Sequence, residues 1–426
     1  MNSVLAKLRG LVVLLLFVFP FGISAQVLQT NAKNNSVNYE RLAKIDDLIN
    51  DYVKKDWVRG VVTIVVKDNQ VVQYKGYGLA DAERKEPMKK DQLFRIASQT
   101  KALTATGIMV LYERGKLLLD EPVADFIPEF KNPVVLDKFD PKDSSYTTVP
   151  AKRNITIRDL LTHTSGIDYA GIGSENMRAI YGKAGLVPGF NLGKKDQSLL
   201  EAVKILAKLP LLHQPGEKWT YGLNFDVLGS VIEVISGMNL SDFLTKNIFE
   251  PVGMTDTYFN VPAEKAKRLA AVYTEDSLQH IIPYGKEKNG IDPDYPLAQK
   301  TYFSGGADLT STAFDYAQFL QMLLNGGTYN GHQILAPRTV EMMISNQLDF
   351  PFGDNEFGLS FQVVSQKGAA KGPENKGSFS WGGYWGTSYW ADPKAHLVCL
   401  IMTQQTPNSH SDLLQKFQNM VYASFK

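Results

Sequence analysis

A serine and a lysine three positions apart, Ser98 and Lys101 in the run Phe94-Arg95-Ile96-Ala97-Ser98-Gln99-Thr100-Lys101, share one face when the segment is helical. Hydroxyl and amine then lie close enough for the amine to take the hydroxyl proton, which is what a serine nucleophile needs. A lysine does this only when uncharged, and an ordinary lysine, with a pKa of about 10.4, is almost wholly charged at pH 7. Burial and nearby positive charge favour the neutral form, and the end of a helix where its N–H groups point outward supplies the second. Those same unpaired N–H groups are donors for an oxyanion, so the Ser98 N–H can stabilise a carbonyl attacked by its own side chain. The competing reading is a helix cap followed by a solvated lysine.

Two further segments carry groups that such chemistry would use. Pro215 to Gly229 places Tyr221 in a loop just ahead of a helix. A phenol there can reach a cleft and relay protons, with a cationic Lys101 nearby favouring the phenolate. The run Ser378-Phe379-Ser380-Trp381-Gly382-Gly383-Tyr384-Trp385-Gly386 sets paired glycines at the end of an alternating strand. Glycines let a ligand approach the backbone, and they equally mark a bulge. An edge strand here would offer the Tyr384 N–H as a second oxyanion donor, with Trp381 and Trp385 as apolar walls.

The elements that must position these groups are readable from periodicity. Residues 39–57 repeat apolar side chains at helical spacing through Leu42, Ile45, Leu48, Ile49 and Val53. Two β-branched runs, 61–66 and 71–74, flank Asp68-Asn69 and predict a hairpin. Residues 377–381, 387–390 and 397–403 predict three more strands, and short links imply antiparallel neighbours. A last helix is expected over 413–425. Between these ends lie helical patterns at 99–114, 156–161, 199–209, 224–235 and 313–324, several stopped by glycine. The expectation is an α/β chain of the α+β type. One antiparallel five-stranded sheet is built from 26–97 and 300–426 and flanked by the terminal helices. A mostly helical insert covers 98–299, and a site lies in the cleft between the two.

With 426 residues, 44% of them hydrophobic, and a formal net charge of +1, the chain is an ordinary globular protein whose charge implies no nucleic-acid partner. Its first 25 residues differ: Lys7 and Arg9 precede an apolar run from Leu11 to Ile23 that ends at Ser24-Ala25. This is the pattern of a secretory signal, too short for a comfortable membrane span, so the protein is expected to be exported and to keep no stable membrane anchor. The single cysteine, Cys399, sits in an apolar run and is expected to pack rather than pair. A G-x-S-x-G elbow, an H-E-x-x-H helix, a phosphate-binding loop and a cysteine cluster are all missing from the sequence, so no metal or other cofactor is expected.

The order S-x-x-K, then Tyr221, then the glycine-containing strand resembles the serine β-lactamase and penicillin-binding protein superfamily. The stretches 157–166 (IRDLLTHTSG), 251–257 (PVGMTDT) and 305–312 (GGADLTST) resemble its class C β-lactamase-related group, and the likeness runs from about residue 39 to the C-terminus. It implies a β-lactamase/DD-peptidase-like fold, Ser98 as acylated nucleophile, Lys101 and Tyr221 as proton-transfer pair, and the N–H groups of Ser98 and Tyr384 as oxyanion hole. His163, inside one of these stretches, reads as structural.

The sequence also departs from the penicillin-recognising pattern. Tyr-x-Asn becomes Tyr221-Gly222-Leu223, with Asn224 displaced by one, and Lys-Thr-Gly becomes Trp381-Gly382-Gly383. Loss of that lysine removes a charge-assisted bond to a substrate carboxylate, worth roughly 1.5 to 3 kcal/mol. Trp-Gly-Gly resembles the family VIII carboxylesterases. The expected activity is therefore hydrolysis of uncharged esters, with Trp381, Gly382, Gly383, Trp385 and Leu223 lining the substrate pocket. The alternatives are a β-lactamase or D-amino-acid peptidase on cell-wall peptides, and a catalytically silent relative that binds a ligand or partner.

Overall fold

In a computed structural model of the chain, residues 27–30, 33–186, 197–285 and 291–426 are described. The expected signal segment lies outside these residues. The described residues form one eight-stranded sheet with helices on both faces and four two-stranded sheets besides. Five helices matter for the site: α1 (Tyr39–Lys54), α2 (Thr100–Glu113), α3 (Asn224–Ser236), α4 (Ala313–Leu324) and α5 (Leu413–Tyr422). The sheet strands are β1 (Gly60–Lys67), β2 (Gln70–Asp81), β3 (Glu86–Pro87), β4 (Glu356–Phe357), β5 (Gln362–Val363), β6 (Phe379–Gly383), β7 (Thr387–Asp392) and β8 (Leu397–Met402).

Their order is β4-β5-β6-β7-β8-β1-β2-β3, antiparallel throughout. The five strands predicted from the sequence are the long ones in the middle of this sheet. Three more, β3, β4 and β5, extend its edges; each is two residues long, too short to show an alternating pattern. The β1–β2 hairpin turns at Asp68 and Asn69, both at positive φ (53° and 62°), as a primed two-residue turn requires.

Two neighbouring inner strands, β1 and β8, come from distant parts of the chain, with Val62 opposite Met402 and Lys67 opposite Leu397. Strand β1 reads Gly-Val-Val-Thr-Ile-Val-Val-Lys, apolar almost without interruption, because both of its faces are covered. Val61 and Val65 pack with Ile45 and Ile49 of α1 and Phe417 of α5, while Val62, Ile64 and Val66 face the main core with Leu320 of α4. Each fully buried Val or Ile contributes about 1.5–3 kcal/mol. Cys399 is fully buried on the α1/α5 face, and burial pushes its thiol up.

Helix α2 is buried from Thr100 to Leu111 on every side, as a helix at the centre of a large core must be. A hairpin of strands Val134–Asp140 and Ser145–Pro150, not anticipated from the sequence, lies in the helical region with every residue of its second strand exposed.

Candidate active site

Ser98 does not begin helix α2. It lies in a 3₁₀ turn, Ala97–Gln99, that feeds into it. Ala97 is held at φ +43°, a conformation that costs an L-residue on the order of 1–3 kcal/mol and must be enforced from outside. The enforcing contacts are visible. The Ile96 N–H donates to the Leu309 carbonyl (3.0 Å), Tyr316 Oη donates to the Gln99 carbonyl (2.8 Å), and the Leu309 N–H donates to Thr100 Oγ1 (3.1 Å). Gly383 of β6 lies against the Ile96 carbonyl so closely that a Cβ would collide with it. The glycine at this position therefore serves strand-to-turn packing rather than ligand approach. Gly382 differs: a Cβ there would meet only Ser388 and Thr387 at 3.5 Å, ordinary contact.

One turn on, Lys101 is 1% exposed. Its Nζ lies 3.2 Å from Ser98 Oγ and donates to the Gly306 carbonyl (2.7 Å) and Tyr169 Oη (2.9 Å). The wall behind it is the 305–312 stretch, with Gly305 pressed on the Phe225 backbone and its carbonyl accepting from Thr104 Oγ1 (2.8 Å). Across Gly306 stands Asp226, whose carboxyl is raised by burial and lowered in part by the Lys101 charge.

Tyr221 brings its phenol oxygen to 2.5 Å from Ser98 Oγ and its ring centre to 4.7 Å from Lys101 Nζ. Serine, lysine and tyrosine are thus brought together as the sequence predicted. The tyrosine is fixed from below by aromatic rings: His163 at 4.8 Å, Trp219 at 5.9 Å and Trp381 at 5.7 Å. Gly222 touches the Ile167 carbonyl where no Cβ would fit. His163 is buried, and its imidazole is pushed well below the usual range by burial and by the Lys101 charge, so it stays neutral. It holds the Tyr221 loop and does not reach Ser98 within hydrogen-bond range, in keeping with a structural role.

Tyr169 was not singled out by sequence reasoning. It follows the 157–166 stretch by three residues, and its loop is built by Asp168, whose carboxylate accepts from the N–H groups of Tyr169 (2.8 Å) and Ser174 (2.9 Å). Burial drives its phenol well above the ordinary range, so it meets Lys101 as a neutral hydroxyl.

Three expected pocket residues belong elsewhere. Trp385 is 1% exposed and packs behind the cleft against Tyr284 (5.1 Å) and Tyr384 (4.9 Å), because Gly386 at φ +88° turns the chain inward there. Leu223 is buried in the main core at the mouth of α3, and Gly383 is covered as described. The displaced Asn224 is fully buried, donating to His163 Nδ1 (2.8 Å) and accepting from Ser165 Oγ. It has become a support for the histidine and has left the cleft.

The cleft itself has a volume of about 580 Å³. Ser98, Tyr221, Trp381, Tyr384 and the exposed Ile172 line its catalytic side. Among the described residues it carries no lysine, arginine or histidine on its lining, and its single charged group is Glu374. Nor do the described residues hold a cluster of three or more His, Cys, Asp or Glu suited to a metal.

A serine backed by a buried lysine and a tyrosine, at the junction of an antiparallel sheet and a helical region, defines a serine hydrolase of β-lactamase type. The chain belongs to the Beta-lactamase family, whose model matches residues 45–421. It is similar to Protein Rv1367c of Mycobacterium tuberculosis, 35% identical over 83% of this chain and 87% of that protein. Esterase EstB of Burkholderia gladioli is 31% identical over 85% of this chain and 90% of the esterase. The solved structure of EstCE1, described as a hydrolase with promiscuous acyltransferase activity, superposes with a TM-score of 0.77 at 25% identity, covering 90% of this chain and 99% of that one.

Proposed function

We propose that the protein is an exported esterase that transfers the acyl group of uncharged carboxylic esters to Ser98 and then to water. The observation that carries this reading is the lining of the cleft: where penicillin-recognising relatives place a lysine, Trp381 stands, and among the described residues no other cation faces the cavity. A carboxylate entering it would lose its water without gaining a counter-charge. A neutral ester meets a polar floor and an aromatic wall, and its likeness to EstB, an esterase by name, points the same way.

In this mechanism Ser98 Oγ attacks the ester carbonyl carbon while its proton passes to the Tyr221–Lys101 pair, both within 3.2 Å of it. The N–H groups of Ser98 and Tyr384 hold the oxyanion. Collapse of the tetrahedral intermediate expels the alkoxide, which takes the proton from the same pair. Water then repeats the sequence on the acyl-enzyme and frees the acid. The substrate lies between the sheet portion (26–97 and 300–426) and the helical portion (98–299).

The test is a substrate panel. Turnover of p-nitrophenyl butyrate with little turnover of a chromogenic cephalosporin or a D-alanyl peptide is the expected result, and the reverse order would replace the esterase with a lactamase or peptidase. A fluorophosphonate that left Ser98 unlabelled in the folded protein would favour a silent binding relative. Export is tested separately, by N-terminal sequencing of protein from the cell envelope or medium, where a start at Gln26 is expected.

A further inference from the structure

The cleft does not stop at the catalytic side of the sheet. Side chains alternate along β6 and β7, so Trp381 and Tyr389 face the core that holds Tyr221 and Tyr316, whereas Ser380, Ser388 and Trp390 face α5. The one cavity nonetheless takes its lining from both sets. Besides Ser98 and Tyr221 it includes Gln362, Glu374, Ser380, Ser388, Leu414 and Gln418, the last two on α5. It can do so only by running over the edge of β6. Past Ser380 that strand has, among the described residues, a strand partner on one side alone, since β5 pairs with Phe379 and Ser380 and goes no further. The crest of the passage is Gly382, exposed and without a side chain.

The lobe beyond the crest is polar, with one charged group. Glu374 has a carboxylate oxygen, Oε1, that receives no hydrogen bond among the described residues. Its neighbour Asp392 is fully buried and already occupied by donors from Asn375 Nδ2 and Tyr422 Oη, both at 2.8 Å. The Glu374 carboxyl is pushed up to about 7 by burial and by Asp392. An acid held next to another acid, with an oxygen lacking a donor, is a site short of N–H groups.

We infer that the substrate of Ser98 is elongated, that its far end crosses the strand edge at Gly382, and that Glu374 receives there a group bearing N–H donors, an ammonium in preference to an amide. The inference rests on the acyl-enzyme reading above and extends it from uncharged esters to esters with a donor-bearing tail, neutral or cationic, so that only anionic tails are excluded. The Glu374 carboxyl faces rejection of carboxylate tails as the counterpart of this selection.

Two series of esters test it. In one, the acyl chain of a p-nitrophenyl ester is lengthened and ended with ammonium, acetamide, methyl or carboxylate; in the other, the same tails are carried on the alcohol of an acetate. Each kcat/KM is taken relative to p-nitrophenyl acetate. In at least one series the long ammonium ester should exceed the methyl ester, and the carboxylate should rank last, with roughly tenfold between the extremes. Gly382→Leu should remove the benefit of chain length from this ratio. Glu374→Lys should invert the ranking and place the carboxylate first, a gain that loss of folding cannot produce. Normal acetate turnover with a ranking unmoved by Glu374→Lys and Gly382→Leu would overturn the inference and leave the esterase standing. No acetate turnover by the wild-type protein would remove both.

Discussion

Asn224 donates its amide to His163 Nδ1 over 2.8 Å, and through that bond the residue one step past the Tyr-Gly-Leu segment steadies the ring on which Tyr221 rests. Replacing it by alanine leaves the imidazole and Ser165 Oγ short of partners inside the core. The expected cost is about 1–3 kcal/mol of stability, read by chemical denaturation. Because the amide faces away from the cleft, kcat for a butyrate ester should fall while KM barely moves. A large rise in KM at unchanged stability would show that the amide binds substrate after all.

Ser98→Ala should abolish both turnover and fluorophosphonate labelling. Lys101→Ala and Tyr221→Phe should each lower kcat by roughly 100- to 10,000-fold, the usual share of a proton-transfer group, with circular dichroism unchanged. Tyr169→Phe removes one of three polar partners of Lys101 and should cost less than either. Near-normal rates for Ser98→Ala would end the mechanism.

Trp381→Lys restores a cation where the penicillin-recognising relatives carry one. The ratio of cephalosporin to butyrate turnover should rise by roughly 10- to 100-fold, the worth of one charge-assisted hydrogen bond. If the ratio stays put, the missing lysine is not what sets the preference.

Gly382 and Gly383 are adjacent and predicted to behave differently. Gly383→Ala drives a methyl group into the Ile96 carbonyl and so into the strained turn at Ala97, with an expected loss of about 1–3 kcal/mol and of most activity. Gly382→Ala has room, and its melting temperature should stay close to that of the parent. Equal losses at both positions would mean that β6 does not press on the nucleophile turn.

Glu374 gives stability a pH dependence. Its folded pKa, about 7, lies above the ordinary carboxyl value, so its contribution is complete in acid and is lost as pH rises through 7. The charged groups facing it add to this, Asp392 being of the same sign, with the Tyr422 hydroxyl and the Cys399 thiol both held protonated by burial. His163 works the other way, weakening the fold only below the ordinary histidine range, where the unfolded chain takes up a proton. Between about pH 5 and 7.5, then, the melting temperature of the parent should fall relative to that of Glu374→Gln. An unchanged slope in the variant would remove Glu374 as its source.

The sequence made the long central strands, the terminal helices and the Ser98–Lys101–Tyr221 grouping legible because each follows from a local pattern: β-branched runs, helical periodicity, or the spacing of two reactive side chains. It did not show β3, β4 and β5, which are two residues each and exist only through pairing. Tyr169 escaped notice because nothing local distinguishes one buried tyrosine from another; only the fold brings it to Lys101. Trp385 and Leu223 were misread for the same reason in reverse. Their positions beside reactive residues said nothing of which way the chain would turn, and Gly386 turned Trp385 into the interior.

The seam between Gly60–Lys67 and Leu397–Met402 has a consequence for how the enzyme comes into being. A chain that lacks everything from Phe379 onward still has Ser98 but neither the seam nor the strand whose Gly383 presses on the Ile96 carbonyl, so the turn that carries Ser98 should lose its support. Contacts between such distant stretches form slowly. Catalysis in this way depends on a stretch far along the chain from Ser98, and a version cut short before Phe379 should be open to proteases.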